Sequence, residues 1–323
     1  MNALLVTHVN VLLNYIMNRS VSFRSGRDAR LYSAHVRGGL HVITCSLLNV
    51  VLPREESQLS SSNTKIIAPA LHELLKGFID YAGLFPPAKL PLESTVRNFD
   101  SYLKGEHAWM LRNLVLPSAQ VPDIAEAFSG TLSVISNEQY ECSRRNQIAT
   151  YESTLPFHCK QAVYCEVPTD KLEMLDELKK NGCFSKIRMG GLKPEAIPSS
   201  ADAAAFINAC ADRQLAFKAT AGLHHPVRSM QALTYEADAP RAVMHGFLNV
   251  LLAASFAWHG ERDIEPVLAE MDPRAFRFDE RAHWKGRVLS TEQIRAARTL
   301  FIHSVGSCSF EEPVHDLQAL GLL

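Results

Sequence analysis

The feature that most constrains the fold is a regular alternation of strand-like and helix-like segments that begins after residue 66. Short runs rich in branched and aromatic residues predict strands, and apolar residues spaced by three or four predict helices. Strands that alternate with helices indicate parallel βαβ units. About eight such units fit into residues 65–323, as a closed barrel requires. We therefore predict one α/β domain with a (β/α)8 TIM-type barrel, with a doubly wound open parallel sheet as the alternative.

The periodicity assigns most of this domain. The predicted strands are 109–116, 131–136, 161–167, 184–189, 215–220 and 301–305, and the predicted helices are 92–103, 124–128, 170–180, 201–213, 264–270 and 291–300. Residues 137–159 give no clear pattern. No G-x-G-x-x-G follows the first strand and no G-x-x-x-x-G-K-[ST] occurs, which disfavours the open nucleotide-binding sheet.

Residues 1–64 differ from the rest of the chain. Five arginines, one acid (Asp28) and no lysine lie between Met1 and Pro53, and a polar tract over 55–63 is typical of a linker. The segment is interpreted as a targeting peptide, a docking arm, or an upstream extension of a chain that natively starts near Lys65. In each case we predict a poorly structured N-terminal extension that contributes nothing to the chemistry.

Composition limits the partners. The net charge is −1, so no general attraction to nucleic acid or to an anionic membrane is expected. No apolar run reaches the roughly 20 residues that span a bilayer. The seven cysteines are scattered without a C-x-x-C pair, which predicts reduced thiols and a cytoplasmic protein. A small-molecule substrate remains the expected partner, and the oligomeric state is left open.

Polar residues recur with strand parity on three successive predicted strands. Because side chains alternate between faces, each strand has an apolar row and a polar row near its carboxyl end. The polar rows contain Glu166, then Lys186 and Arg188, then Lys218 and Thr220. In a barrel these rows point into the mouth, where active sites of this fold lie. A structural ion network that fills the barrel is the competing interpretation.

The segments that follow the strands supply further candidates. Paired glycines let backbone N–H groups approach an anion, and histidines beside an arginine favour a ligand site. The predicted substrate-binding residues are Arg188, Gly190, Gly191, Thr220, His225, Arg228, His245, Asn249, Gly306, Ser307 and Ser309. Ser307 or Ser309 is alternatively a helix N-cap before Glu311. Asp80 is predicted to be either an acid of the first strand or a turn residue.

Two resemblances rest on these segments. From about Ile79 onward the chain resembles a set of uncharacterised bacterial proteins, which implies no activity. Residues 218–223 (Lys-Ala-Thr-Ala-Gly-Leu) are similar to the Lys-Thr-Ser-Thr-Gly-Phe motif of deoxyribose-phosphate aldolase, a class I aldolase barrel, and residues 305–309 resemble its phosphate-binding turn. The resemblance implies a Schiff-base role for Lys218, with Lys186 on the preceding strand. The chain departs from that family at the seventh strand, where His245 and Asn249 are expected in place of a second lysine with a Gly-Gly turn.

The sequence therefore predicts a lyase or aldolase-type enzyme that acts on a small anionic carbonyl metabolite without a cofactor. Its catalytic residues would be Lys218, Lys186, Glu166 and His224, with the pKa of Lys218 lowered by the cations Lys186 and Arg188. The alternatives are a divalent-metal enzyme, whose ligands would be Glu166 and histidines among 224, 225 and 245, and a non-catalytic anion-binding protein.

The domain boundary gives the first testable prediction. A chain that begins at Lys65 should remain soluble and melt within a few degrees of the full chain, because the Ser-rich tract separates it from the preceding residues. Thermal denaturation of both chains, followed by circular dichroism, measures the difference. Aggregation of the shorter chain would show that residues 1–64 pack on the domain.

Overall fold

The structure is a computed structural model that describes residues 67–323 together with the backbone of three strands nearer the N-terminus. These strands, β1 (Ser22–Ser25), β2 (Leu31–Val36) and β3 (Gly39–Thr44), pair antiparallel in that order. The chain divides into two compact units, Met1–Asn63 and Thr64–Leu323. The prediction of a poorly structured extension over residues 1–64 concerns, apart from these three strands, residues outside the described part of the chain.

Thirteen further strands are described in Thr64–Leu323. In chain order they are β4 (Ile79–Tyr81), β5 (Leu111–Pro117), β6 (Leu132–Ile135), β7 (Ile148–Ser153), β8 (Ala162–Glu166), β9 (Phe184–Arg188), β10 (Phe217–Thr220), β11 (Ser229–Ala232), β12 (Arg241–Met244), β13 (Phe276–Phe278), β14 (Arg281–Trp284), β15 (Arg287–Ser290) and β16 (Ile302–Ser307). Eight of them, β4 to β10 and β16, are parallel and close a barrel in chain order. This confirms the predicted (β/α)8 barrel and excludes the open sheet.

Eight α-helices are described alongside these strands. They are α1 (Pro69–Leu75), α2 (Leu92–Tyr102), α3 (Met174–Lys180), α4 (Ser200–Asp212), α5 (Phe247–Trp258), α6 (Glu265–Ala269), α7 (Thr291–Leu300) and α8 (Glu311–Ala319). Capping boxes begin two of them: Ser199 with Asp202 at α4, and Ser290 with Gln293 at α7. The helix predicted over 124–128 was wrong, because the chain there forms a short 3₁₀ turn (Ser118–Asp123) containing Pro122 and then continues irregularly.

The apolar rows of the strands face outward onto the helices, as their parity predicts. Phe217 of β10 contacts Phe206 of α4, with ring centroids 5.6 Å apart, and Phe301 at 5.0 Å. Ile187 of β9 belongs to the same buried cluster. Burial of such side chains stabilises the fold by about 1.5–3 kcal/mol each. The inner face of the barrel is consequently left to polar residues.

Two small antiparallel sheets are inserted between barrel units. The hairpin β11–β12 lies between β10 and α5, and the sheet β13–β14–β15 lies between α6 and α7. Val243–Ala254, which the sequence left unassigned, contains the end of β12 and the start of α5. No helix in the described residues is long and apolar enough to cross a membrane.

Candidate functional site

A continuous chain of alternating acids and bases fills the inside of the barrel. It runs from the deep interior to the mouth in the order Asp80, Lys218, Glu152, Lys186, Glu166 and Arg188. These residues come from five strands, β4, β10, β7, β9 and β8. We call this set the ion chain.

The deep end of the ion chain is the pair of Asp80 and Lys218, and the side chain of Lys218 is fully buried. Its Nζ donates to Asp80 Oδ2 at 2.5 Å and to Glu152 Oε1 at 2.7 Å. Asp80 also accepts hydrogen bonds from Asn113 Nδ2 at 2.9 Å and from Ser304 Oγ at 2.6 Å. Each buried charge therefore has both an opposite charge and hydrogen bonds, which offsets its loss of hydration.

The mouth end of the ion chain is progressively more exposed. Lys186 Nζ lies 3.2 Å from Glu152 Oε2 and 3.2 Å from Glu166 Oε2, and its side chain is 9% exposed. Arg188 pairs with Glu166 through Nε at 3.3 Å and Nη2 at 3.4 Å, and its side chain is 54% exposed. Lys186 is therefore the innermost cation of the ion chain that reaches the mouth, beside Glu152.

The charges in the ion chain determine which groups are ionised. Burial alone would raise the pKa of Glu152, but Lys218 and Lys186 lower it to about 2. Burial likewise opposes ionisation of Glu166, and Lys186 and Arg188 lower its pKa. Although burial favours the neutral amine of Lys218, the carboxylates of Asp80 and Glu152 raise its pKa above the ordinary value.

The predicted environment of Lys218 was therefore wrong. The sequence predicted that Lys186 and Arg188 would lower its pKa, whereas its nearest charged groups are two carboxylates and the pKa is raised. Lys218 also lies on the seventh barrel strand, β10, and Lys186 on the sixth, β9. The inward direction predicted from parity agrees with the structure, because Glu166 contacts Lys186 and Glu152 joins Lys186 to Lys218 inside the barrel. The predicted position of Lys218 in the mouth was wrong, because Lys218 is fully buried and does not line the cavity.

A cavity of about 380 Å³ opens above the ion chain at the carboxyl ends of the strands. Its polar lining includes Glu152, Lys186, Arg188, Thr220, His224 and Cys308, and its backbone lining includes Gly191, Gly222 and Gly306. Its apolar wall comes from residues 85–87 after β4 and from Leu233 and Met244 of the inserted hairpin region. A pocket of this size, apolar with a few converging polar groups, is typical of small-molecule sites.

His224 lines this cavity as a neutral base. Burial, with a smaller effect of His225, lowers its pKa to about 4. Ser307 Oγ donates to the carbonyl of Ser309 at 2.6 Å, so it accepts from His224 Nδ1 at 2.9 Å. The proton therefore lies on Nδ1, and Nε2 carries the lone pair.

Seven of the eleven predicted substrate-binding residues lie outside the cavity lining: Gly190, His225, Arg228, His245, Asn249, Ser307 and Ser309. Four of them, at positions 225, 228, 245 and 249, have structural partners. His225 Nδ1 is 2.7 Å from Asp316 Oδ2. His245 contacts the carbonyl of Pro198 at 2.8 Å and Arg228 Nη1 at 3.3 Å. Neither His245 nor Asn249 is on a barrel strand, contrary to the sequence prediction.

Asn249, in the first turn of α5, instead joins the loop before β11 to the end of α6. Its Oδ1 accepts from the N–H of Arg228 at 3.0 Å, and its Nδ2 donates to the carbonyls of Val267 and Glu270 at 2.8 and 2.9 Å. A buried amide with all these bonds satisfied is positioned by the fold. The structure therefore gives Asn249 a structural role in place of the predicted ligand contact.

Some of the small residues in the turns after the strands allow close packing of neighbouring loops, and others line the cavity. A Cβ on Gly190 would lie 3.0 Å from the Gly222 Cα, so Gly190 lets the loops after β9 and β10 pack closely. Gly191 and Gly306 line the cavity as predicted. Ser309 Oγ accepts from the N–H of Glu312 at 3.1 Å, which matches its predicted alternative as a helix cap.

Glu152 is the central residue that the sequence analysis missed. It lies on β7, within the segment that was left unassigned, and it contacts both Lys186 and Lys218. The available signal was the alternation of Ile148, Thr150 and Glu152 with Ala149 and Tyr151. Asp80, which was either a strand acid or a turn residue, is an acid of the first barrel strand.

The residue set does not converge on a metal. Among the described side chains, no three His, Cys, Asp or Glu residues are placed to hold one metal ion. Of the histidines proposed as ligands, His225 contacts Asp316 and His245 contacts the carbonyl of Pro198. No protein family, curated protein or solved structure compared with the chain matches it. What is established is a TIM barrel with a charged cavity at the catalytic end of that fold.

Replacement of Lys218 tests the deep end of the ion chain. Lys218→Met should lower the free energy of unfolding by about 3–5 kcal/mol, because it leaves Asp80 and Glu152 as buried charges without their shared cation. Urea denaturation of the variant and the parent measures the loss. Lys193→Met, at an exposed loop position, is the matched control and should change stability little. A variant at position 218 as stable as the control would contradict this assignment.

Acid should destabilise the domain through three histidines, His224, His245 and His303, because burial lowers the pKa of each. Burial lowers the pKa of both His224 and His303 to about 4, from an ordinary value of 6.5. Between these values the unfolded chain binds more protons than the folded one, so stability is fully present above pH 6.5 and falls toward pH 4. The expected loss reaches about 1.4 kcal/mol per pH unit for each histidine.

Denaturation curves at several pH values measure this slope. His224→Gln should make it shallower between pH 6.5 and 4, since one of the three histidines with a lowered pKa is removed. His315→Gln, at an exposed position of α8, is the control and should leave the slope unchanged. An equal slope in parent and His224 variant would show that His224 is not the responsible group.

Proposed function

We propose that this barrel is a lyase or aldolase-type enzyme that holds a small anionic carbonyl compound in the mouth cavity and attacks it with the amine of Lys186. The observation that carries the proposal is that Lys186 lines the cavity, whereas Lys218 does not and is fully buried behind it. The proposed nucleophile is therefore Lys186 on β9, in place of Lys218, which the sequence analysis favoured.

The two carboxylates beside Lys186 suit different roles. Glu152, with a pKa of about 2, stays ionised and orients the ammonium. Glu166 is 30% exposed and equally close to Nζ at 3.2 Å, so it accepts the proton that the amine must lose before it attacks. Attack on the carbonyl carbon then gives a carbinolamine, which loses water to form the Schiff base.

The remaining polar groups bind the substrate and move its second proton. Arg188, at the exposed end of the ion chain, keeps N–H groups that face away from Glu166 and suit a carboxylate or phosphate of the substrate. His224 Nε2 is an unprotonated base at neutral pH and removes a hydroxyl proton when the carbon–carbon bond breaks. The hydroxyl carbon then becomes a carbonyl, and the Schiff base takes up the electron pair of the broken bond as an enamine. The apolar wall of the cavity reduces hydration of the reacting carbon.

A non-catalytic anion-binding protein is the second candidate. The observation that favours it is the internal balance of the ion chain, in which three acids neutralise three bases without a ligand. In that case the cavity would bind anions through Arg188 and form no covalent adduct.

Borohydride trapping distinguishes the two candidates. Incubation with pyruvate and cyanoborohydride should give an adduct on Lys186, located by peptide mass spectrometry, because only this lysine lines the cavity among the described residues. Lys186→Arg should abolish the adduct, and Lys193→Arg should leave it unchanged. Adducts spread over surface lysines, or their absence from Lys186, would contradict the Schiff-base proposal.

A charged and an uncharged probe test the role of Arg188. Arg188→Gln should slow trapping of pyruvate by about tenfold, the worth of one charge-assisted contact, and leave trapping of acetaldehyde unchanged. The rates of adduct formation by intact mass spectrometry measure both. Equal slowing of the two probes would show that Arg188 acts on Lys186 through Glu166 and not on the substrate anion.

A further inference from the structure

A second cavity lies at the opposite end of the barrel, where the strands begin. It has a volume of about 700 Å³ and is lined by the starts of β5, β8, β9 and β16 and by α1 and α7. We call it the lower groove. None of its lining residues belongs to the ion chain or to the mouth cavity.

The lower groove carries an excess of positive charge. Four cationic side chains line it, Lys76, Arg112, Arg295 and Arg298, against one carboxylate, Glu73. Both oxygens of Glu73 are occupied by Arg295, at 3.2 and 3.1 Å. In the described part of the chain, Arg112 and Arg298 form no ion pair. Arg112 and Arg298 thus lie near each other without an ion-pair partner, and the Asp80 carboxylate acts on Arg298 only from beyond ion-pair distance.

Arg298 is the buried member of this set. Its residue is only 9% exposed, and it donates to the carbonyls of Ile302 and, at 3.2 Å, Lys76. Its Nε has no hydrogen-bond partner among the described residues. Burial and the nearby Arg112 lower its pKa to about 9, which still leaves the guanidinium charged at neutral pH. A buried cation with an unused donor is unfavourable unless an anion or ordered water satisfies it.

The neighbouring polar groups do not supply that anion. His303 Nε2 contacts the carbonyl of Thr299 at 3.1 Å and therefore carries the proton, so Nδ1 accepts from the hydroxyl of Tyr164 at 2.6 Å. Burial lowers the pKa of His303 to about 4, so the ring is neutral. Arg112 uses Nη1 to donate to the carbonyl of His303 at 2.6 Å. Its guanidinium also lies within hydrogen-bonding reach of the Tyr164 hydroxyl, and the N–H groups that remain are available to a ligand.

We propose that the lower groove is a binding site for a phosphate group, held by Arg112 and Arg298 with Lys76 at the rim. Guanidinium groups match phosphate oxygens with paired hydrogen bonds, and a dianion offsets more of the groove's charge than a carboxylate does. The aromatic side chains of Tyr164 and Phe184 in the same lining leave room for the organic part of a phosphate monoester. The site is separate from the mouth cavity and independent of the chemistry proposed there.

Calorimetric titration of the full chain with inorganic phosphate, at constant ionic strength in a phosphate-free buffer, tests the proposal. Arg112→Gln should weaken binding by about tenfold or more, because it removes a charge-assisted contact. Arg298→Lys keeps the charge but not the planar fork, and it should weaken binding as well. If the Arg298 variant does not fold, as judged by circular dichroism, the Arg112 variant alone decides. Arg277→Gln, at an exposed position of β13 outside both cavities, is the control and should bind phosphate like the parent.

A parallel titration with glycerol phosphate identifies the source of the phosphate. Tighter binding of the ester supports a phosphorylated metabolite in the groove, and tighter binding of the free ion supports inorganic phosphate. Three results would overturn the proposal: no heat of binding at millimolar phosphate, unchanged affinity in the Arg112 variant, or complete loss of binding in Arg188→Gln, which would place all of the bound phosphate at the mouth.

Discussion

The structure depends most on one fully buried lysine that two carboxylates share. Lys218 joins strands β10, β4 and β7, which are not neighbours in the sheet, through contacts of 2.5 and 2.7 Å across the barrel interior. Apolar side chains of equal volume would stabilise the interior as well or better, because desolvation opposes every buried charge. What the charges provide is a specific geometry, since each acid has to meet its own base.

That geometry is graded along the barrel axis. Asp80 and Lys218 are shielded from solvent, Lys186 reaches the cavity, and Arg188 is mostly exposed. The same type of side chain therefore has different chemistry at different depths. Lys218, deep between two acids, holds its proton and acts as a fixed positive charge. Lys186, at the cavity floor, has space beside it for a reacting carbon.

The sequence predicts much of the fold but only part of the site. Strand parity correctly grouped Glu166, Lys186 and Lys218, because alternation is a local property of each strand. It could not reveal that Asp80 and Glu152 contact Lys218, since these contacts span 138 and 66 residues along the chain. The pKa of Lys218 was consequently predicted in the wrong direction. The partners of His225 and His245 could not be predicted for a related reason, because contacts with Asp316 of α8 and with the carbonyl of Pro198 have no periodic signature.

The inserted hairpin has a consequence for how such a barrel changes over time. Strands β11 and β12 pair with each other and not with the barrel, yet Leu233 between them and Met244 at the end of β12 line the cavity. Substitutions in this hairpin alter the shape of the cavity without disturbing any contact of the ion chain. Selection for a different ligand can thus act on the β11–β12 hairpin alone, while the residues of the ion chain stay unchanged.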